Sequence, residues 1–115
     1  MDKKSFTVLV GAGYWGSKIL EKLVLLNLNI IVLDSNNKTL LIHKKKYSDK
    51  KCIFIENFYD LKQLDYENVI IASPAQLHFQ QINFFLKLNK NIFVEKPLCI
   101  NFNQIKLLKK NYLTI

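Results

Sequence analysis

The sequence predicts a doubly wound α/β fold: a parallel sheet covered by helices on both faces, forming a single three-layer αβα domain. Three observations carry this reading. Short β-rich apolar runs alternate with stretches of helical periodicity along the whole chain. The runs are almost continuously apolar, as strands buried on both faces of a parallel sheet are. All three glycines fall in one hexad, Gly11-Ala12-Gly13-Tyr14-Trp15-Gly16, directly behind the first run.

Phe6 to Val10 is the first strand. From Tyr14 to about Leu26, Trp15, Ile19, Leu23 and Val24 recur at helical spacing. Leu28 to Leu33 reads as a second strand ending at Asp34, and Ser35, Asn36 and Asn37 offer N-cap chemistry for a helix through about Lys46. Cys52 to Ile55 is a third strand, and the polar, aromatic stretch from Asn57 to Asp65 holds a short helical turn. Asn68 to Ala72 is a fourth strand, stopped by Ser73-Pro74. A helix is expected from about Ala75 to Leu88, with Phe79, Ile82 and Leu86 on one stripe and Asn89 in the left-handed position past its end. Ile92 to Val94 is a fifth strand. Asn101 to about Lys110 is a last helix, with Asn101 and Gln104 spaced as in a capping box. Tyr112 to Ile115 has the composition to start a sixth strand.

A chain of 115 residues, 50% hydrophobic and 23% charged, supports one domain with a real core. The formal charge is +8, and every basic residue is a lysine. Lys44-Lys45-Lys46 and Lys50-Lys51 are the densest cluster. Without arginine, the usual residue for bidentate contacts to guanine and phosphate, they read as a solvated helix end, and no nucleic-acid partner is expected. Cys52 and Cys99 lack metal-ligand spacing, so both are expected as reduced thiols and no metal is expected. No stretch approaches the roughly 20 apolar residues of a membrane span, and the first apolar run is broken by Gly11. These features predict a cytoplasmic protein with no membrane partner.

The glycine hexad has the Gly-x-Gly-x-x-Gly spacing of a Rossmann-type dinucleotide turn, and it follows a strand and opens a helix. Gly11 allows the tight turn, Gly13 lets the backbone approach a pyrophosphate, and Gly16 lets the helix pack against the strand. The helix from Tyr14 aims its free N–H groups and the positive end of its dipole at the phosphates. Asp34 ends the second strand, close to the roughly 20-residue spacing of an acid that binds ribose hydroxyls. A carboxylate there favours NAD over NADP by repelling a 2′-phosphate, although Lys38 stands nearby in sequence to accommodate one. Ser73-Pro74-Ala75-Gln76-Leu77-His78 forms a second platform on the same rim. Glu95-Lys96-Pro97 brings an amine to the tip of the fifth strand, where a lysine can serve as general acid or base. Glu95 is expected to hold Lys96 or to contact the cofactor, and Pro97 is a place for a cis peptide.

In ordered combination these segments resemble the Gfo/Idh/MocA family of NAD(P)-dependent oxidoreductases. The resemblance runs from about Phe6 to Leu98, through Gly11 to Gly16, Asp34, Ala72-Ser73-Pro74 to His78, and Val94-Glu95-Lys96-Pro97-Leu98. Its Gly-Tyr-Trp-Gly version is similar to members that oxidise nucleotide-linked sugars in polysaccharide and lipopolysaccharide biosynthesis. The resemblance implies cofactor contacts from Gly11, Ala12, Gly13, Tyr14, Trp15, Gly16, Asp34, Ser35, Ser73, Pro74, Gln76, His78, Glu95 and Lys96. It implies a catalytic role for Lys96 as hydride passes between a sugar carbon and nicotinamide. The family's partner residues, commonly an Asp and a His, belong to a second domain with no counterpart here. The usual Asn after the Ser-Pro pair is Ala75, and the usual Gly before the fifth strand is replaced in Asn89-Lys90-Asn91.

The expectation is therefore a dinucleotide-binding domain over residues 1–115 that binds NAD(H) and, alone, is inactive toward sugars. Its expected partners are a sugar-nucleotide substrate if a second domain is supplied, a separate C-terminal domain, or a second copy through the open edge of the fifth strand. The alternative is a non-catalytic dinucleotide sensor or interaction module.

Overall fold

In the computed structural model, which describes residues 5–112, five parallel strands stand in the order β3-β2-β1-β4-β5. These are β1 Phe6–Val10, β2 Ile30–Leu33, β3 Cys52–Ile55, β4 Tyr66–Ile71 and β5 Asn91–Val94. Four helices connect and flank them: α1 Tyr14–Leu25, α2 Asn37–Lys46, α3 His78–Lys87 and α4 Phe102–Tyr112. The order reverses beside β1, between the crossovers to β2 and to β4, so the crevice for a ligand opens there at the C-terminal strand ends.

Strand alternation divides the core into two layers. Val8, Val10, Ile31, Leu33, Val69 and Ile71 face one side, packed with Ile82 and Phe85 of α3 and Leu108 of α4. Leu9, Ile30 and Val32 face the other, against Leu20 and Leu23 of α1 and Leu40 of α2. Every residue of β2 is buried, which explains why its sequence is uniformly apolar rather than alternating.

Several boundaries differ from the sequence reading, each for a local reason. The second strand starts at Ile30 rather than Leu28, because Asn27 takes a left-handed φ of 59° and Leu28 and Asn29 complete the turn out of α1. The fourth begins earlier, at Tyr66, and the fifth at Asn91. The stretch from Ala75 is not one helix: a 3-10 turn over Ala75–Leu77 precedes α3. On α1 the buried positions are Gly16, Leu20 and Leu23, while Trp15 faces outward and is 60% exposed. Asn36 caps α2 by accepting from the Thr39 N–H at 3.1 Å, and Asn89 is left-handed at φ 57°. Asn101 accepts from the Gln104 N–H at 2.9 Å at the start of α4. Tyr112 ends α4, and the rest of the expected sixth strand lies outside the described residues. Both cysteines are free thiols; Cys99 is buried and Cys52 only half-buried, and burial pushes both thiols up from their ordinary range. Among the described residues no helix is long and apolar enough to cross a membrane.

Phe85 is the centre of the α3 layer. It is fully buried, with Phe84, Phe58 and Tyr66 at ring separations of 5.0, 5.7 and 6.2 Å. Phe85→Ala is expected to cost about 3–5 kcal/mol. Urea unfolding checks it: the midpoint falls while the slope is unchanged.

Candidate functional site

The rim at the C-terminal ends of the strands is built by one repeated hydrogen bond. The residue just past each of four strands donates its backbone N–H to the last carbonyl of a neighbouring strand. Gly11 donates to Leu33 at 2.8 Å, Asp34 to Ile55 at 3.1 Å, Ala72 to Val10 at 2.8 Å and Glu95 to Ile71 at 2.9 Å. The sequence places a chemically distinct segment immediately after each of these tips, so the ladder brings all of them to one edge.

The glycine turn fills two tight places and leaves a third open. Gly11 has φ +93°, and a Cβ there would lie 2.7 Å from the Ser73 nitrogen. A Cβ on Gly16 would lie 1.9 Å from the Gly11 carbonyl oxygen, so α1 leaves the turn at a distance that only glycine permits. A Cβ on Gly13 would meet nothing within 4 Å. Gly13 is the N-cap of α1 and offers no side-chain cap, and the first turn of the helix carries no acid. The N–H groups of that turn are therefore left without a capping side chain.

Between these glycines the loop is pinned from both sides at Ala12. Its N–H donates to Asp34 Oδ2 at 2.8 Å, and its carbonyl lies 3.0 Å from His43 Nε2 on α2, which donates in the tautomer protonated there. Asp34 Oδ1 accepts from the Asn36 N–H at 2.8 Å. Both carboxylate oxygens are thus oriented by backbone, and each retains a lone pair for a further donor. Sequence reasoning misses His43, because a histidine inside a lysine run shows no motif.

Beside the loop lies a cavity of about 460 Å³. Gly11, Asp34, Ser35, Ser73 and Pro74 line it, as do Glu56, Asn57, Gln80 and Gln81, four polar residues that no sequence motif marks. Ser73 donates its hydroxyl to Gln81 Oε1, which fixes the amide at the cavity wall. Gln76 does not line this cavity; it sits exposed on the 3-10 turn. Tyr14 and Trp15 stand outside at the mouth of α1, 73% and 60% exposed, with their rings edge-to-face at 5.5 Å and Lys18 Nζ 4.8 Å from the Tyr14 ring centre.

A second cavity of about 420 Å³ opens along the β5 edge, lined by Ile19, Ile70, Ile71, Phe93, Val94, Glu95 and Lys96. The Lys96–Pro97 peptide is cis. Glu95 and Lys96 are both exposed, and among the described residues no hydrogen bond or ion pair joins them. Glu95 is held instead through its backbone N–H.

His78 lies inside the protein, only 1% exposed, with Nε2 2.8 Å from the Ser73 carbonyl and Nδ1 2.6 Å from the Pro97 carbonyl. Both ring nitrogens are engaged by backbone, leaving neither for a bound molecule. A neutral ring has one N–H for these two acceptors and a protonated ring has two. The imidazole ties the turn after β4 to the turn that carries Lys96. His78→Ala removes the ring that bridges the Ser73 and Pro97 carbonyls and opens a void, and is expected to cost about 2–4 kcal/mol. Thermal unfolding checks it against Gln76→Ala, which should leave the midpoint nearly unchanged.

Residues 6–112 match the family model described as an oxidoreductase family with an NAD-binding Rossmann fold, Gfo/Idh/MocA. No curated protein matches the chain. Among solved structures it is similar to myo-inositol 2-dehydrogenase from Lactobacillus plantarum, at 20% identity and a TM-score of 0.81, over 94% of this chain and 32% of that one. It is similar to scyllo-inositol dehydrogenase from Lactobacillus casei, solved with NAD(H) and scyllo-inositol, at 26% identity and a TM-score of 0.74, over 94% of this chain and 32% of that one. It is also similar to the WlbA dehydrogenase from Thermus thermophilus, solved with NAD and UDP-GlcNAcA, at 26% identity and a TM-score of 0.70, over 92% of this chain and 37% of that one. The chain thus spans about a third of the length of these structures. With the family match covering nearly its full length, on a rim built from the glycine turn, Asp34 and the Lys96 turn, the chain belongs to the Gfo/Idh/MocA oxidoreductase family as an NAD-binding Rossmann fold.

Proposed function

We propose that this chain is the cofactor half of a dehydrogenase that oxidises a sugar or nucleotide-linked sugar with NAD. The observation that carries the reading is the contrast within the glycine turn: Gly11 and Gly16 are closed by packing, whereas Gly13 faces open space under the start of α1. That opening suits a pyrophosphate, which backbone N–H groups and the helix dipole would hold. Asp34, fixed by Ala12 and Asn36, would accept from the ribose hydroxyls. Its charge favours NAD over NADP. Ser35, Ser73 and Pro74 would complete the wall on the nucleoside side.

NAD, when bound, supplies the acceptor for a hydride. The protein's part in oxidising a CH–OH group is to hold that hydroxyl and receive its proton as hydride leaves the same carbon. Lys96 suits this role, because it stands two residues past the end of β5 beside the crevice, is exposed, and has no ion pair among the described residues. The substrate-binding half would sit against the β5 edge, where Phe93 is 78% exposed and Lys96 stands at the lip of the adjoining cavity. The inositol- and UDP-sugar-bound relatives support a polyol or sugar as substrate class.

Trp15 is the chain's single tryptophan and sits on the glycine turn, so its emission reports directly on this rim. Titration with NADH is expected to quench Trp15 saturably and to sensitise nicotinamide emission. Gly13→Ala should weaken that binding by tenfold or more while leaving the unfolding midpoint close to wild type. An absence of saturable binding by the wild-type chain would overturn the reading. The 115-residue chain is further expected to show no turnover of inositol or UDP-sugars with NAD, and measurable turnover would overturn its assignment as a half-site.

A further inference from the structure

We infer that Glu56 is a second determinant of cofactor choice, set beside Asp34 to exclude the 2′-phosphate of NADP. The inference rests on the reading of the rim as a dinucleotide cradle.

The strand register places the two acids together. Leu33 of β2 pairs with Ile55 of β3, and the Asp34 N–H donates to the Ile55 carbonyl at 3.1 Å, so the ladder continues one residue past β2 to the end of β3. Asp34 and Glu56 are the next residues on each. Strands in a sheet stand about 4.8 Å apart, and both residues line the same cavity.

Their roles there differ. Asp34 gives one lone pair on each oxygen to a backbone N–H, which fixes it where a ribose would lie. Glu56 is exposed, lines the cavity and has neither a hydrogen bond nor an ion pair among the described residues, so no partner in the fold offsets its carboxylate there. A single carboxylate would leave the exposed Lys38, in the first turn of α2, able to offset it and accept a phosphate. Two carboxylates leave the pocket net negative against a group that carries close to two negative charges. At several ångströms in a solvent-facing cavity, one unit charge against that phosphate changes affinity on the order of tenfold, and salt screens the effect.

The test compares NADH and NADPH binding by Trp15 emission for wild type, Glu56→Gln and Glu56→Lys, each at low and near-physiological salt. Because Glu56 is exposed, both variants are expected to fold as wild type. Glu56→Gln should tighten NADPH about tenfold and Glu56→Lys further, with NADH shifting less than about threefold. The difference between wild type and variants should shrink as salt rises. Unchanged NADPH affinity in both variants, with NADH still bound, overturns the inference and leaves Asp34 to choose alone. An equal change for both dinucleotides also overturns it, since that reports altered packing rather than charge. Failure of wild type to bind either dinucleotide overturns the cradle reading itself, and the inference falls with it.

Discussion

The site depends on the parallel ladder continuing one residue beyond its strands. Gly11, Asp34, Ala72 and Glu95 each donate one more backbone hydrogen bond to a neighbouring strand before the chain turns away. These four bonds determine where every later functional group begins. They bring the glycine turn, the acid, the Ser-Pro turn and the lysine turn to one level, although the segments are far apart in sequence. A slip of one residue in a parallel pair would also exchange the two faces of the strand, moving the buried set into the wrong layer. Core packing and site geometry are therefore fixed by the same register.

On this base the glycine turn is stiffened by side chains outside the motif. Asp34 takes the Ala12 N–H, and His43 faces the Ala12 carbonyl from α2. Gly16 locks α1 against Gly11. A loop held at three points needs little further ordering when an anion arrives, and that preorganisation favours affinity. It also couples Asp34, the acid proposed for the ribose, to the glycine turn proposed for the phosphates. Any change that moves Asp34 disturbs the Ala12 N–H, so Asp34 cannot be altered to change cofactor choice without loosening the loop. Glu56 has no such second duty among the described residues.

Much of this is legible from the sequence because several residues solve steric problems that few others can. Gly11 and Gly16 occupy places where a Cβ would collide with backbone, and Asn27 and Asn89 adopt left-handed turns. The Asn89 turn can be anticipated, while Leu28 looks like strand because nothing in an Asn-Leu-Asn run marks where the turn ends. Trp15 follows the helical period yet faces outward, since α1 packs through Gly16, Leu20 and Leu23. In sequence His78 reads as a rim residue for the cofactor, but the 3-10 turn at Ala75–Leu77 rotates α3 so that the imidazole points inward. Glu56, Asn57, Gln80 and Gln81 are invisible for a different reason: they share a cavity only through sheet register and helix phase, which no short motif encodes.

The two sides of the rim are finished to different degrees, and this bears on how the chain works. On the side proposed for the nucleoside, α3 and the 3-10 turn Phe58–Gln63 flank a cavity where Ser73 and Gln81 are already hydrogen-bonded to each other. On the β5 side, Phe93 is exposed, and Glu95 and Lys96 lack partners among the described residues. The lysine turn is nevertheless positioned from behind, because His78 bridges it to the Ser73 turn. Lys96 thus has a fixed root and an unengaged head. The proton transfer proposed for Lys96 calls for that combination: its backbone placed by the fold, and its amine left for a substrate to engage.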